Sequence, residues 1–269
     1  MGISKQAVQQ YAKQQTEYNQ KLVELIALAD DIREQHPGCG VEKLYYTLQP
    51  DFIGRDKFID IFMEIGFRVK RNKNYVRTTY SVANQYSNLI KGLIINQPSQ
   101  VWQSDITYIR LGERFYYAVF IIDVYTKKIV GYHISDNMRA TANVEALKMA
   151  LKKHPPPKIH HSDRGGQYIN KDYLKVLEGY NSKISMAVTS QDNAYAERIN
   201  RTIKEEYLSY WNPRNFEELK KQLIKAVKHY NQNRLHDNLG RMTPDSFEKA
   251  WKLKILKHIP EFCIYNNNE

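Results

Sequence analysis

The chain has 269 residues, 42% of them hydrophobic, and carries 40 Lys and Arg against 29 Asp and Glu for a formal charge of +11. That apolar content supports a packed core and excludes wholesale disorder; no apolar run approaches the roughly 20 residues that cross a bilayer, and Met1–Val8 has no signal-peptide core. Two cysteines far apart, Cys39 and Cys263, exclude a cysteine zinc cluster and a disulfide framework, while the basic excess and 20 tyrosines favour a nucleic-acid partner.

Residues 1–80 read as helical. Ser4 is positioned to cap a helix over Ile3–Tyr11, and Leu22, Leu25, Ile26 and Ala29 recur at helical spacing. His36-Pro37-Gly38-Cys39-Gly40 is a break. Val41, Leu44, Tyr45 and Leu48 form a second apolar face, and Phe58, Ile61, Phe62 and Ile65 a third, closed by Gly66. Short helices separated by tight turns suit a helix-turn-helix module, and equally a plain three-helix packing domain. Arg68, Lys70, Arg71, Lys73 and Arg77 follow directly, as an arm suited to tracking phosphates. Residues 81–98 are polar and read as a linker.

From residue 99 the pattern changes. Trp102–Ile109, Phe115–Val124 and Ile129–Ile134 read as three strands of an antiparallel meander, turning at Gly112-Glu113. Ala140–Lys153 is helical, with Val144, Leu147, Ala150 and Leu151 on one side, and Pro155-Pro156-Pro157 ends it. A short strand at Lys158–His161, a helix at Lys171–Leu177, a strand at Ile184–Met186 and a long helix over Gln191–Tyr210 complete the series. The order β-β-β-α-β-α-β-α predicts an α/β fold, a mixed sheet flanked by helices, over residues 99–210. Residues 211–269 form a basic helical region: Arg198 to Lys257 holds fourteen Lys or Arg and seven Asp or Glu, and Phe216, Leu219, Leu223 and Val227 share one face.

Three acidic residues stand out by their neighbours. Asp105 lies in Trp102-Gln103-Ser104-Asp105-Ile106-Thr107-Tyr108, Asp163 in His160-His161-Ser162-Asp163-Arg164-Gly165-Gly166-Gln167-Tyr168, and Glu197 in Asp192-Asn193-Ala194-Tyr195-Ala196-Glu197-Arg198. On the expected elements Asp105 projects from the first strand, Asp163 ends the fourth, and Glu197 sits on the long helix. Phosphodiester chemistry needs an activated attacking oxygen and a neutralised leaving oxygen, which two Mg²⁺ ions supply together. Magnesium prefers carboxylate oxygen and water, so three carboxylates suffice if one bridges the pair. In a basic chain the set points to metal-dependent cutting and joining of nucleic acid. Gly165-Gly166 permits a close backbone approach to a phosphate. Asn193, Glu197 and Arg201 are spaced to share a helix face with Lys204 a turn beyond, a cationic path along DNA. Of the other acids, Asp123 ends an apolar strand, Asp192 suits an N-cap, and Glu205 and Glu206 suit surface roles. His160 and His161 lack partners for a zinc site and read as packing or support.

These words resemble the transposases of bacterial insertion sequences whose core is similar to retroviral integrase. Asp-Ile-Thr-Tyr at 105–108, His-Ser-Asp-Arg-Gly-Gly-Gln-Tyr at 161–168 and Asp-Asn-Ala-Tyr-Ala-Glu-Arg at 192–198 match that family's three blocks. Ile122–Gly131, Lys204-Glu205-Glu206, Tyr230–His236 and Thr243-Pro244 match flanking words, and Gly38–Arg71 is similar to the helix-turn-helix region before the core. The resemblance implies an RNase H-like core and a catalytic, metal-binding triad of Asp105, Asp163 and Glu197. It implies Mg²⁺-dependent cleavage and strand transfer, with Mn²⁺ as a substitute. The expected partners are double-stranded DNA (terminal inverted repeats and target), further copies of the chain on that DNA, and the product of an upstream reading frame, since a chain opening at Met1-Gly2-Ile3-Ser4 fits the family's second frame. No membrane is expected; the location implied is the bacterial cytoplasm, at the nucleoid. DNA contacts are expected at Arg68, Lys70, Arg71, Lys73, Asn193, Arg201 and Lys204. One departure is visible: Asp163 and Glu197 are 34 positions apart, about two fewer than the family commonly has, with the change at Met186-Ala187-Val188-Thr189-Ser190. A nuclease without joining activity and a DNA-binding regulator with an inert core are the competing readings.

Overall fold

The structure is a computed structural model that describes residues 5–69 and 86–264, and it divides into two units, residues 1–72 and 73–269. Ser4, Lys70, Arg71, Lys73 and Arg77, named above, lie outside the described residues.

In the first unit, α1 (Lys5–Gln35) runs unbroken for 31 residues, because no Gly or Pro interrupts the two helical stretches read from the sequence. Helices α2 (Val41–Leu48) and α3 (Arg55–Glu64) follow. Leu25 and Ala29 of α1, Leu44 of α2, and Phe58 and Phe62 of α3 are buried together. The two phenylalanines, one helical turn apart, stack with centroids 4.0 Å apart. Gly66, at φ +98, takes the left-handed position that stops α3.

The second unit is built on a five-stranded mixed sheet. Strands β2 (Val101–Leu111), β3 (Arg114–Asp123) and β4 (Ile129–Ser135) form the expected antiparallel meander. Helix α4 (Ala140–Lys153) crosses to β5 (Ile159–Ser162), and α5 (Lys171–Gly179) to β6 (Lys183–Met186). β5 lies parallel to β2 and β6 parallel to β5, giving the order β4-β3-β2-β5-β6. A 3₁₀ turn (Ser190–Asn193) then leads into α6 (Ala194–Ile203), a π-helical turn (Lys204–Leu208) and the short α7 (Ser209–Trp211). Helices α8 (Phe216–Gln232) and α9 (Pro244–Lys252) complete the unit.

Strand alternation divides the core. Tyr116, Ala118, Phe120 and Ile122 of β3 pack under α6 and α8, while Val119 and Ile121 face α4 and α5 on the other side. Gly131 lets α4 close on β4: a Cβ there would stand 2.3 Å from the Ala146 carbonyl oxygen.

The segments on either side of the region read as the core also pack with it. Residues 86–98 are not a free linker, because Ile90 is buried and β1 (Leu93–Ile95) pairs antiparallel with β7 (Phe262–Ile264). Residues 211–264, read as a basic helical region, pack onto the sheet. Leu219, Leu223 and Val227 of α8 complete the packing under β3, and Leu239, Phe247 and Ile264 pack with Ile90, Ile95 and Val101. Both segments bury some of their apolar side chains against partners far away in sequence.

Candidate active site

Asp105 and Asp163 come to one level of the sheet through strand register. β2 and β5 run parallel, and Ser104 pairs with Ser162 as the last matched residues. Asp105 is the next residue of β2, and Asp163 follows directly on the end of β5. Gln103 and Asp105 share the face covered by α6, while Ser104, on the other face, meets the Tyr168 hydroxyl at 3.0 Å. Glu197 is on the first turn of α6, where its charge also suits the positive end of the helix dipole.

Electrostatics couple the three. Burial raises the Asp105 carboxyl well above the ordinary range, and the negative charges of Asp163 and Glu197 raise it further. The Ile106 N–H and the Asn200 amide, 2.7 Å from Oδ2, work against that shift. Burial also raises Asp163, opposed by the Gly165 N–H, which donates to Oδ1 at 3.0 Å. Glu197 is the most exposed; burial raises it, Arg201 lowers it and Asp163 raises it.

The donor set suits a hard divalent cation, since three carboxylates offer oxygen alone. Two more observations agree with that fit. A Cβ on Gly165 would stand 3.0 Å from Asp163 Oδ1, so glycine keeps that oxygen clear. The Asn200 amide oxygen, buried beside Asp105, has no hydrogen-bond partner among the described residues. Among the described residues no three His, Cys, Asp or Glu side chains are drawn close enough to clasp an ion by themselves.

The remaining expected residues fall in different places. Lys204 is half-buried at the start of the π-helical turn, 5.4 Å from the centre of the Tyr108 ring. Burial lowers its pKa, and the Asp105 charge works against that. Arg201 is exposed on the last turn of α6, and Arg68 is exposed in the first unit.

Asn193 does not join the Glu197–Arg201 face. Residues 190–193 form a 3₁₀ turn, so α-helical spacing does not run through them, and Asn193 is 2% exposed with its amide on the Ser104 carbonyl. Asp192 is not an N-cap; as the third residue of that turn it accepts from the Val188 and Thr189 N–H groups, and Thr189 is the cap. Glu206 is not a plain surface acid, because it forks onto buried Arg234 at 2.7 and 2.8 Å. Asp123 is buried and ties the β3–β4 turn, accepting from the Ser99, Tyr125 and Thr126 N–H groups.

His160 and His161 are buried supports. His160 Nε2 meets the Tyr173 hydroxyl at 2.6 Å and His161 Nδ1 the Ser185 hydroxyl at 2.8 Å. The stretch before α6 is held at both ends. Arg164 Nε donates to the Ala187 carbonyl at 2.8 Å, and Asp192 takes the next two N–H groups. Asn200 and Gln103 were not singled out from the sequence. Asn200 stands three residues after Glu197, a spacing that shares a helix face and would have drawn attention to it.

Residues 95–191 and again 178–244 match integrase core domain families. An uncharacterized 31 kDa protein of insertion element IS600 from Shigella sonnei is 34% identical over 211 residues, 74% of this chain and 76% of the relative. The transposase for insertion sequence element IS629, also from Shigella sonnei, is 31% identical over 229 residues, 82% of this chain and 77% of that protein. The fold is similar to a chain in the simian T-cell lymphotropic virus intasome in complex with PP2A regulatory subunit B56 gamma, with TM-score 0.52 and 14% identity over 90% of this chain and 80% of that one.

Proposed function

The chain belongs to the insertion-sequence transposases that carry an integrase core, a DNA-binding, DDE-type polynucleotidyl transferase family dependent on a divalent metal, and from that premise we propose that Asp105, Asp163 and Glu197 are its catalytic carboxylates. The observation that supports this most is the bond from Asn200 to Asp105 at 2.7 Å. Asn200 lies one turn after Glu197, so the helix carrying the third carboxylate crosses directly over the strand carrying the first. The preferred cation is Mg²⁺, with Mn²⁺ as a substitute, because the donors are all carboxylate oxygen.

When bound, the cations activate the attacking oxygen and neutralise the leaving one. The chain's own residues supply the rest. Asp105 and Asp163, fixed by paired strands, hold two donors rigidly. Glu197 brings the third from the helix. Half-buried Lys204, next to Asp105 and over the Tyr108 ring, offers a cation to a phosphate beside the scissile bond, and Arg201 continues that path. In cleavage, water attacks the phosphorus at the element end and the bond to the 3′ oxygen breaks, leaving a 3′-hydroxyl. In transfer, that hydroxyl attacks a target phosphodiester; a new P–O bond forms as the target's bond to its 3′ oxygen breaks.

The DNA partners on this reading are the terminal inverted repeats and a target duplex, held by more than one copy of the chain, with an upstream-frame product as a further partner, in the bacterial cytoplasm at the nucleoid. Asp105→Asn, Asp163→Asn or Glu197→Gln is expected to lower strand transfer about a thousandfold, the several kcal/mol that metal-assisted charge stabilisation supplies, with DNA binding kept. Labelled end DNA incubated with a target plasmid reads the joined product. Full joining by any one variant removes that residue from the site, and wild-type protein that cuts without joining marks a nuclease.

A further inference from the structure

Three side-chain amides in succession join the strand of Asp105 to the helix of Glu197, and two of them touch no carboxylate. Gln103 is fully buried. Its Nε2 donates to the Asp192 carbonyl at 3.1 Å, and its Oε1 accepts from the Tyr195 and Ala196 N–H groups at 3.1 and 3.3 Å. Asn193 Nδ2 donates to the Ser104 carbonyl at 3.0 Å. Asn200 completes the series on Asp105.

The first N–H groups of a helix have no partners inside it, and the Asn193 side chain at the head of α6 makes no capping bond. The strand's glutamine meets two of those N–H groups in place of a local cap. Its orientation is unambiguous: a flipped amide would set NH₂ against two donors and oxygen against a carbonyl. The register is equally constrained, because sliding β2 by one residue would turn Gln103 and Asp105 together to the other face. Ala196, which donates to Gln103, immediately precedes Glu197.

We propose that Gln103 is a positioning residue that fixes the start of α6 on β2, and so sets the spacing between Asp105 and Glu197, with Asn193 as its second anchor. The inference rests on the triad reading above. Mg²⁺ demands near-ideal octahedral geometry, whereas Ca²⁺ tolerates variable coordination. A loosened anchor therefore weakens Mg²⁺ more than Ca²⁺, while a general loss of structure weakens both.

The test is calorimetric titration of the full chain, without DNA, with Mg²⁺ and with Ca²⁺. Gln103→Met keeps length without polar atoms, and Asn193→Ala, which removes one bond, supplies a milder variant should the first not fold. In the folded variant, Mg²⁺ affinity is expected to fall about tenfold, the usual cost of losing support behind a metal site, with Ca²⁺ affinity changed less than about threefold. Equal losses for both ions, or none, overturn the proposal. Asp105→Asn is the control: if it keeps wild-type Mg²⁺ affinity, the triad reading falls and this inference with it; if it loses Mg²⁺ while the anchor variants keep it, the anchor alone falls.

Discussion

At the scale of single residues, the site depends on atoms that are missing as well as present. Gly165 has ordinary extended angles, φ −66 and ψ 137, so alanine brings no backbone strain there. Its Cβ would nevertheless stand 3.0 Å from both Asp163 Oδ1 and Gln167 Oε1. Gly165→Ala is therefore expected to lower strand transfer between about ten- and a hundredfold by displacing Asp163, with little change in thermal midpoint; a wild-type rate would remove that role from the glycine. His160 supports the site differently. Burial, with the neighbouring His161 charge, lowers its pKa from 6.5 to about 3. Between those values the unfolded chain holds a proton that the folded chain does not, so stability falls as pH drops below about 6.5. The loss is about 1.4 kcal/mol per pH unit within the window, or about 2 kcal/mol from pH 6.5 to 5. Urea titrations of the wild type and His160→Gln check this: the variant should lose less, and equal slopes would rule the histidine out. The three carboxylates proposed as catalytic stand out in the sequence because each sits in a distinctive run of neighbours. Gln103 lay inside one of those runs unnoticed, since its meaning is a contact with residues 89 to 93 positions away.

At the scale of elements, strand alternation and helix spacing made the meander and α4 readable from sequence. Two features escaped for one reason, which is that their stabilising contacts are distant. β1 is three residues long and forms through β7 at the far end of the unit. Residues 191–210 read as one long helix, yet the chain begins it with the 3₁₀ turn at Ser190–Asn193 and inserts a π-helical turn at Lys204–Leu208. That turn buries Tyr207 and Leu208 and sends Glu206 to Arg234, while Lys204 remains over Tyr108. Such turns gather at functional sites, and here the fork between Glu206 and Arg234 holds one in place. Breaking a buried pair by removing one partner costs about 3–5 kcal/mol, whereas replacing both with apolar groups is often neutral. Arg234→Met alone should destabilise by roughly that amount, and Arg234→Met with Glu206→Met should recover most of it. A urea double-mutant cycle measures the coupling, and purely additive losses would show that the fork contributes nothing. Gly131 marks a second constraint between elements. Its approach to the Ala146 backbone cannot relax by rotating a side chain, so Gly131→Ala should cost about 1–3 kcal/mol.

At the scale of the whole molecule, the +11 charge is unevenly spread. Residues 1–72 hold ten Lys and Arg against ten Asp and Glu, and all of the excess belongs to residues 73–269, with 30 against 19. Three of the ten cations in the first unit, Arg68, Lys70 and Arg71, fall in its last five residues. Residues 1–67 therefore carry a net −3 and, taken together, repel a phosphate backbone on charge alone. Any electrostatic attraction of that unit for DNA must come from the segment beginning at Arg68. Each phosphate neutralised by a cation contributes about 0.9 to the slope of log affinity against log salt. Replacing Arg68, Lys70 and Arg71 by glutamine should then flatten the slope by up to about 2.7 and weaken binding most at low salt. Glu197→Gln, which removes a negative charge at the proposed catalytic site, is the comparison and should leave the slope nearly unchanged. Binding isotherms of duplex DNA from 50 to 200 mM salt separate the cases. A triple variant with the wild-type slope would move the first unit's DNA contact away from the arm, and leave shape or base contacts by the helices as its source.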